Sequence, residues 1–131
     1  MTELEYNSIT GRIIKCAIEV HKNLGPGLLE SVYEVCLEKE LVLQGLTVKR
    51  QVLLPVFYKE EKLNKDFLID MLVEEEVIVE LKSLEIVLPI HEAQLVTYLK
   101  LSNKKIGLLI NFNVAKLTAG ISRKINGYFN D

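Results

Sequence analysis

Asp70, Glu80 and Lys82 are the residues of this chain whose types and spacing could do chemistry together. Asp70 lies in an apolar run at residues 67–73, and Glu80 and Lys82 lie in a second run at residues 77–83. Glu74-Glu75-Glu76 separates the two, and this arrangement reads as a β-hairpin. If the three glutamates form the loop, Val73 faces Val77 and Asp70 falls opposite Glu80. Side chains alternate with period two along a strand. Asp70, Glu80 and Lys82 are therefore expected on one face, with Val77, Val79 and Leu81 on the other. Like charges directly opposite each other destabilise a sheet by about 0.2–1 kcal/mol, and apolar flanks raise that penalty. Two carboxylates in a partly dry site must take up a proton or recruit a cation. Lys82 supplies one positive charge, and a divalent metal would supply two. Two carboxylates and a backbone carbonyl suit Mg²⁺, with Mn²⁺ as a substitute, and leave positions for water and phosphate. Such an ion polarises a phosphoryl oxygen and acidifies its bound water, while a lysine can orient that water and stabilise charge on the phosphate. The chemistry indicated is phosphodiester hydrolysis. The competing expectation, a solvated hairpin face with a Lys–Glu pair, is disfavoured by the apolar context Val77-Ile78-Val79-Glu80-Leu81-Lys82.

The elements that must position these residues follow from hydrophobic spacing. Ile9, Ile13, Cys16, Ala17, Val20 and Leu24 recur at helical intervals and predict a helix over residues 8–24, ended by Gly25-Pro26-Gly27. A second helix is expected over residues 28–44, with Leu29, Val32, Tyr33, Cys36, Leu37 and Leu41 as its buried stripe and Gly45 as its stop. With Gly27 as N-cap, Glu30 would be the third helical residue, where glutamate often caps. Glu40 falls within that stripe and needs a cation, for which Lys49 and Arg50 are the candidates. Residues 48–58 have strand composition, and Pro55 indicates an edge position or a bulge. Pro89 precedes a helix over residues 91–102, which sets His91, Gln94 and Tyr98 on one face. Tyr98 could equally pack beside Leu95 and Leu99, and His91 at a helix N-terminus suits a structural partner better than a catalyst. Residues 105–112 are almost wholly apolar, the pattern of a strand buried on both faces. Residues 117–125 fit a strand or a helix.

The bulk properties bound the function. A chain of 131 residues suits one domain, residues 1–131, with 49% apolar and 26% charged residues. A formal net charge of −2 and a pI of about 5.8 are unlike the clustered positive charge of proteins that coat nucleic acid. Asn103-Lys104-Lys105, Arg123-Lys124 and Lys49-Arg50 could form small basic rims, but such pairs are commonly solvated surface. Cys16 and Cys36 lack metal-ligand spacing and are expected as free thiols in a reducing compartment. Residues 1–8 show no basic-then-apolar signal pattern, and no run approaches the roughly 18 apolar residues of a membrane span. A cytoplasmic location with no membrane partner is expected.

Gly27-Leu28-Leu29-Glu30-Ser31-Val32-Tyr33, Asp70-Met71-Leu72-Val73, Val77-Ile78-Val79-Glu80-Leu81-Lys82 and His91-Glu92-Ala93-Gln94-Leu95-Val96-Thr97-Tyr98-Leu99 occur in that order. Together with Gly107-Leu108-Leu109-Ile110-Asn111-Phe112, they resemble the GxxExxY family of the PD-(D/E)xK nuclease superfamily, over about residues 9–125. The resemblance implies a restriction-endonuclease-like αβββαβ core, a mixed central sheet flanked by helices with an extra N-terminal helix. It also implies a Mg²⁺-dependent nuclease. Glu30, Asp70 and Glu80 match metal ligands, Glu30 binding directly or through water, and Lys82 matches the catalytic lysine. Gln94 would position the lysine or a metal-bound water, and Tyr98 would contact phosphate or prop the site. The superfamily's usual proline is absent, since Ile69 precedes Asp70. The expected partner is DNA or RNA, bound weakly unless an oligomer or partner protein assists. A phosphohydrolase acting on a nucleotide or nucleic-acid end, and a non-catalytic interaction module, are the alternatives.

Overall fold

The first helix starts earlier than its apolar spacing indicates. In the computed structural model, which describes residues 1–129, α1 runs over Glu3–Leu24 rather than from Ser8. The Thr2 hydroxyl accepts from the Glu5 amide at 3.2 Å and the Glu5 carboxylate reaches back to Thr2, a capping box that satisfies the first orphan amides. α2 begins later than expected, at Glu30–Leu43, with Leu29 as its N-cap. Glu30 is therefore the first helical residue and not the third, so the capping role expected for it is not realised. The buried stripe of α2 is also rotated. Tyr33, Glu34, Leu37 and Leu41 face inward, whereas Leu29 is 74% exposed.

A five-stranded sheet follows, in the spatial order β1-β2-β3-β4-β5. β1 (Val48–Tyr58) and β2 (Glu61–Val73) form a long antiparallel hairpin, and β2 pairs antiparallel with β3 (Val77–Lys82). α3 (Pro89–Ser102) carries the chain over to β4 (Ile106–Asn111), which lies parallel to β3. A 3₁₀ turn at Leu117–Gly120 and the antiparallel β5 (Ile121–Ile125) divide the segment for which both strand and helix were open. Pro55 meets both expectations, since β1 is an edge strand and the register shifts between Pro55 and Phe57. β2 starts six residues before the apolar run at Phe67, because its outer half is polar and exposed.

α1 and α2 cover one face of the sheet and α3 the other. Ile13, Ala17, Tyr33 and Leu37 pack on Met71, Val79, Leu108 and Ile110. Leu95, Tyr98 and Leu99 pack on Ile69, Leu72, Ile78 and Leu109. β4 is buried along its whole length, as a strand between two helical layers requires. The α3 face comes so close at Gly107 that a Cβ there would lie 2.7 Å from the Leu95 side chain. Gly107→Ala should thus overpack this layer and destabilise the protein by about 1–3 kcal/mol. Urea unfolding checks it, and an unchanged midpoint would mean that the layer has slack.

Candidate metal-dependent active site

The hairpin pairs as its sequence indicates, with Val73 opposite Val77, Leu72 opposite Ile78 and Met71 opposite Val79. Regular pairing stops there. At the next rung, side chains replace the backbone ladder. The Asp70 amide donates to Glu80 Oε1 at 3.1 Å, and the Leu81 amide donates to Asp70 Oδ2 at 2.8 Å. Each strand thus offers a backbone N–H to a carboxylate of its neighbour, and the acids lie in the gap between the two strands.

The expectation of a common face needs correction in one respect. Ile69 packs in the α3 layer but Met71, two residues on, packs in the α1/α2 layer. β2 therefore exchanges faces at Asp70. β1 does the same beside it, with Val48 packed towards α1/α2 and Val52 towards α3. Gln51, directly between, has φ 54°. Asp70 consequently follows neither run of alternation; it lies on a cavity against α2 while its carboxyl still reaches Glu80.

Glu80 is 6% exposed. Burial, then the charge of Asp70, push its carboxyl up to about 8, against smaller downward effects from the Asp70 amide and the Lys82 ammonium. The Asp70 carboxyl is itself a side-chain hydrogen-bond partner of Glu80. The two acids are thus close enough to share a proton, and a dication would replace that proton while letting both ionise.

Asp70, Glu30, Ser31, Glu34, Gln51 and Leu81 line one cavity of about 200 Å³, room for several waters. Glu30 reaches it from the first turn of α2, where its carboxylate accepts from the Ser83 amide at 3.3 Å. Its position is set by Tyr33. That buried hydroxyl donates to the Gly25 carbonyl at 2.6 Å and accepts from the Leu28 amide at 3.1 Å, and its ring stacks on Phe112 at 4.3 Å. Gly27 completes the loop with φ 93°, which a side chain would disfavour. The spacing of Gly27, Glu30 and Tyr33 is therefore the geometry of one loop pinned to the core. Among the described residues, no three His, Cys, Asp or Glu side chains converge closely enough to hold a metal unaided. The donors present fit a dication held by the Asp70–Glu80 pair, with water or backbone oxygen completing the shell.

Lys82 follows Glu80 on β3 and is half-buried at the sheet's end. Two polar contacts the sequence did not reveal secure the segment beyond it. Ser83 Oγ donates to the Leu28 carbonyl at 2.6 Å. Buried Asn111 accepts from the Leu84 amide at 3.0 Å and donates to its carbonyl at 2.9 Å. Tyr98 is buried against Phe67, at 5.5 Å between rings. Its hydroxyl is held above the usual phenol range by burial, then by the Glu80 and Asp70 charges, so the ring lies within electrostatic range of the acids. Gln94 is exposed on the same helix and its side chain makes no hydrogen bond among the described residues. His91 is structural, its Nδ1 accepting from the Leu88 amide at 2.9 Å.

Glu34 was not among the residues expected in the α2 stripe or in the site. Its carboxylate is buried, accepting from Gln51 at 2.7 Å and pairing with Arg50 at 3.3 Å. The signal available was its spacing of one turn from Glu30. Glu40 does not pair with Lys49 or Arg50. Arg50 instead binds Glu34 and Glu38, Lys49 binds Glu75, and Glu40 faces a groove that it shares with Arg12 and Lys15.

A helix-flanked mixed sheet with an acidic pair at the parting of its central hairpin, and a lysine two residues on, defines a restriction-endonuclease-like fold. The chain belongs to the PD-(D/E)XK nuclease superfamily, whose family model matches residues 7–124. No curated protein and no solved structure is significantly similar to it. Nucleases of this superfamily generally use divalent metal ions.

The raised Glu80 carboxyl fixes the sign of a pH effect. The folded protein holds this proton up to about 8, whereas the unfolded chain releases it near 4.5. Linkage then removes stability as pH rises through that window, by about 1.4 kcal/mol per unit of difference. Metal-free protein should melt at lower temperature at pH 8 than at pH 5, and Glu80→Gln should flatten the slope. Parallel melting curves for the two proteins would contradict the assignment.

Proposed function

We propose that the chain is a Mg²⁺-dependent nuclease of the GxxExxY group that hydrolyses phosphodiester bonds of DNA or RNA. The single observation that carries this is the meeting of Asp70 and Glu80 between two strands, with Glu80 driven to hold a proton that a dication would displace. Asp70 and Glu80 would hold the ion, and Glu30 would bind it directly or through water from the cavity wall. When bound, Mg²⁺ or Mn²⁺ supplies an acidified water and polarises the phosphoryl oxygen. Lys82 donates from its ammonium to the attacking water and to the non-bridging oxygens as negative charge develops there. Tyr98 keeps solvent from the α3 side of the acid pair and props Glu80. Gln94, one turn from Tyr98 and with its side chain unbonded among the described residues, would accept from the Lys82 ammonium or donate to the attacking water. The two residues after Lys82 are tied down by Ser83 and Asn111, which holds the lysine's direction fixed.

A nucleotide or nucleic-acid end as substrate is favoured by the state of the basic residues. Arg50 is committed to Glu34 and Glu38, Lys124 to Glu92, and Arg123 to Asn7. Lys104 and Lys105 donate to the carbonyls of Glu75 and Tyr128. The basic pairs at 49–50, 104–105 and 123–124 are thus each engaged within the fold and offer little free charge to a duplex, so unaided affinity for polymer would be weak unless an oligomer or partner protein supplied it.

Cleavage of labelled single strands, duplexes and nucleotides with Mg²⁺ or Mn²⁺ tests both versions. Asp70→Asn should abolish metal binding by calorimetry and leave the fold intact. Lys82→Ala should still bind metal, while turnover falls roughly 10²–10³-fold, the range for losing one group that stabilises developing charge. Unchanged metal affinity in the first variant, or full activity in the second, removes that residue from the mechanism. Metal binding without hydrolysis of any substrate would favour an interaction module.

A further inference from the structure

We propose that Gln51 is a positioning residue for Asp70: the bond from its amide to buried Glu34 holds the rung at which Asp70 turns out of the β1–β2 ladder and towards β3. The consequence for catalysis rests on the metal site proposed above, but the positioning itself stands on backbone geometry.

Three observations converge on this rung. Arg50 pairs with Met71 and Val52 with Ile69, yet Gln51 and Asp70 between them do not form a bridge pair. Gln51 has φ 54°, a left-handed conformation that residues other than glycine rarely adopt and that concentrates at functional sites. Both strands exchange faces here, since Ile69 and Val52 pack towards α3 while Met71 and Val48 pack towards α1 and α2.

Such an arrangement persists only if something outside the ladder holds it. Glu34 does so with both carboxylate oxygens. Oε1 accepts from Gln51 Nε2 at 2.7 Å, and Oε2 pairs with Arg50 at 3.3 Å. The Glu34 side chain is 10% exposed, so its charge depends on these donors, and in return two consecutive residues of β1 are fixed to α2. Arg50 is anchored a second time through Glu38 at 3.1 Å. With the rung held open, the Asp70 amide and carboxylate are free to bond Glu80 and the Leu81 amide instead of β1. α2 thus carries both an acid on the cavity wall, Glu30, and one turn later the anchor for the crossover.

The Leu81 amide reports directly on the Asp70 carboxylate, so its hydrogen exchange by NMR tests the idea without metal or substrate. In Gln51→Ala and Glu34→Ala, Leu81 should exchange at least tenfold faster, while Ile78 and Val79 keep their protection. Glu34→Gln retains an acceptor for the Gln51 amide and should restore Leu81. Gln51→Gly accepts the left-handed backbone more readily, which guards against misfolding, and should still lose Leu81 protection. Wild-type protection of Leu81 in Gln51→Gly or Gln51→Ala would overturn the proposal, as would an equal acceleration of every β3 amide. Mn²⁺ titration of the wild-type chain reports separately on the metal reading, and its failure would leave the Leu81 result standing.

Discussion

The structure depends on the place where the β2–β3 ladder fails. Up to Met71 and Val79 the two strands pair by backbone. At Asp70 and Glu80 their amides go to carboxylates instead. A buried backbone N–H must find a partner, and here the partners available are acids. This one substitution of side chain for carbonyl draws two negative groups into a gap that neither would occupy alone in an apolar sheet. It also explains why Glu80 keeps a proton far above the ordinary carboxylate range. Under the proposed function, a dication would relieve the same electrostatic strain that the proton relieves here.

The rest of the fold serves to keep that gap in one shape. α1 and α2 seal one face of the sheet, and the Tyr33 hydroxyl and its stack on Phe112 fix the loop that delivers Glu30. α3 seals the other face through Leu95 over Gly107 and through Tyr98, whose phenol lies beside the acid pair. Past Lys82, Ser83 and Asn111 fasten the chain to the α1–α2 loop and to the end of β4. Most of the polar contacts near the site are thus between segments distant in sequence.

The basic residues present the complementary constraint. A nuclease that grips duplex DNA by itself needs free positive surface, and several Lys and Arg side chains of this chain are instead tied to acids or carbonyls. The exposed Lys49–Glu75 pair is worth little and could open. The doubly anchored Arg50 is different, because breaking it would leave Glu34 buried without its cation. Arg50 belongs to the scaffold of the site and not to a nucleic-acid rim.

Much of this protein could be read from residue order. The alternation of the hairpin put Val73 against Val77, the unbroken apolar run of residues 105–112 marked a strand between two layers, and Pro55 marked an edge with a bulge; each follows from local periodicity or a missing N–H. Asp70, Glu80 and Lys82 stood out as candidates because charged residues in apolar strands are costly without a purpose. What only the tertiary structure decided were the features set by contacts across the chain. The start of α1 depended on a cap at Thr2, and the facing of α2 on which residues met the sheet, so that Glu34 was buried and Leu29 was not. The exchange of faces at Gln51 and Asp70 breaks the period-two rule on which strand reading relies, and it is held by a side chain on another element. No local pattern records such a crossover, because the energy that maintains it lies in a bond between residues 34 and 51.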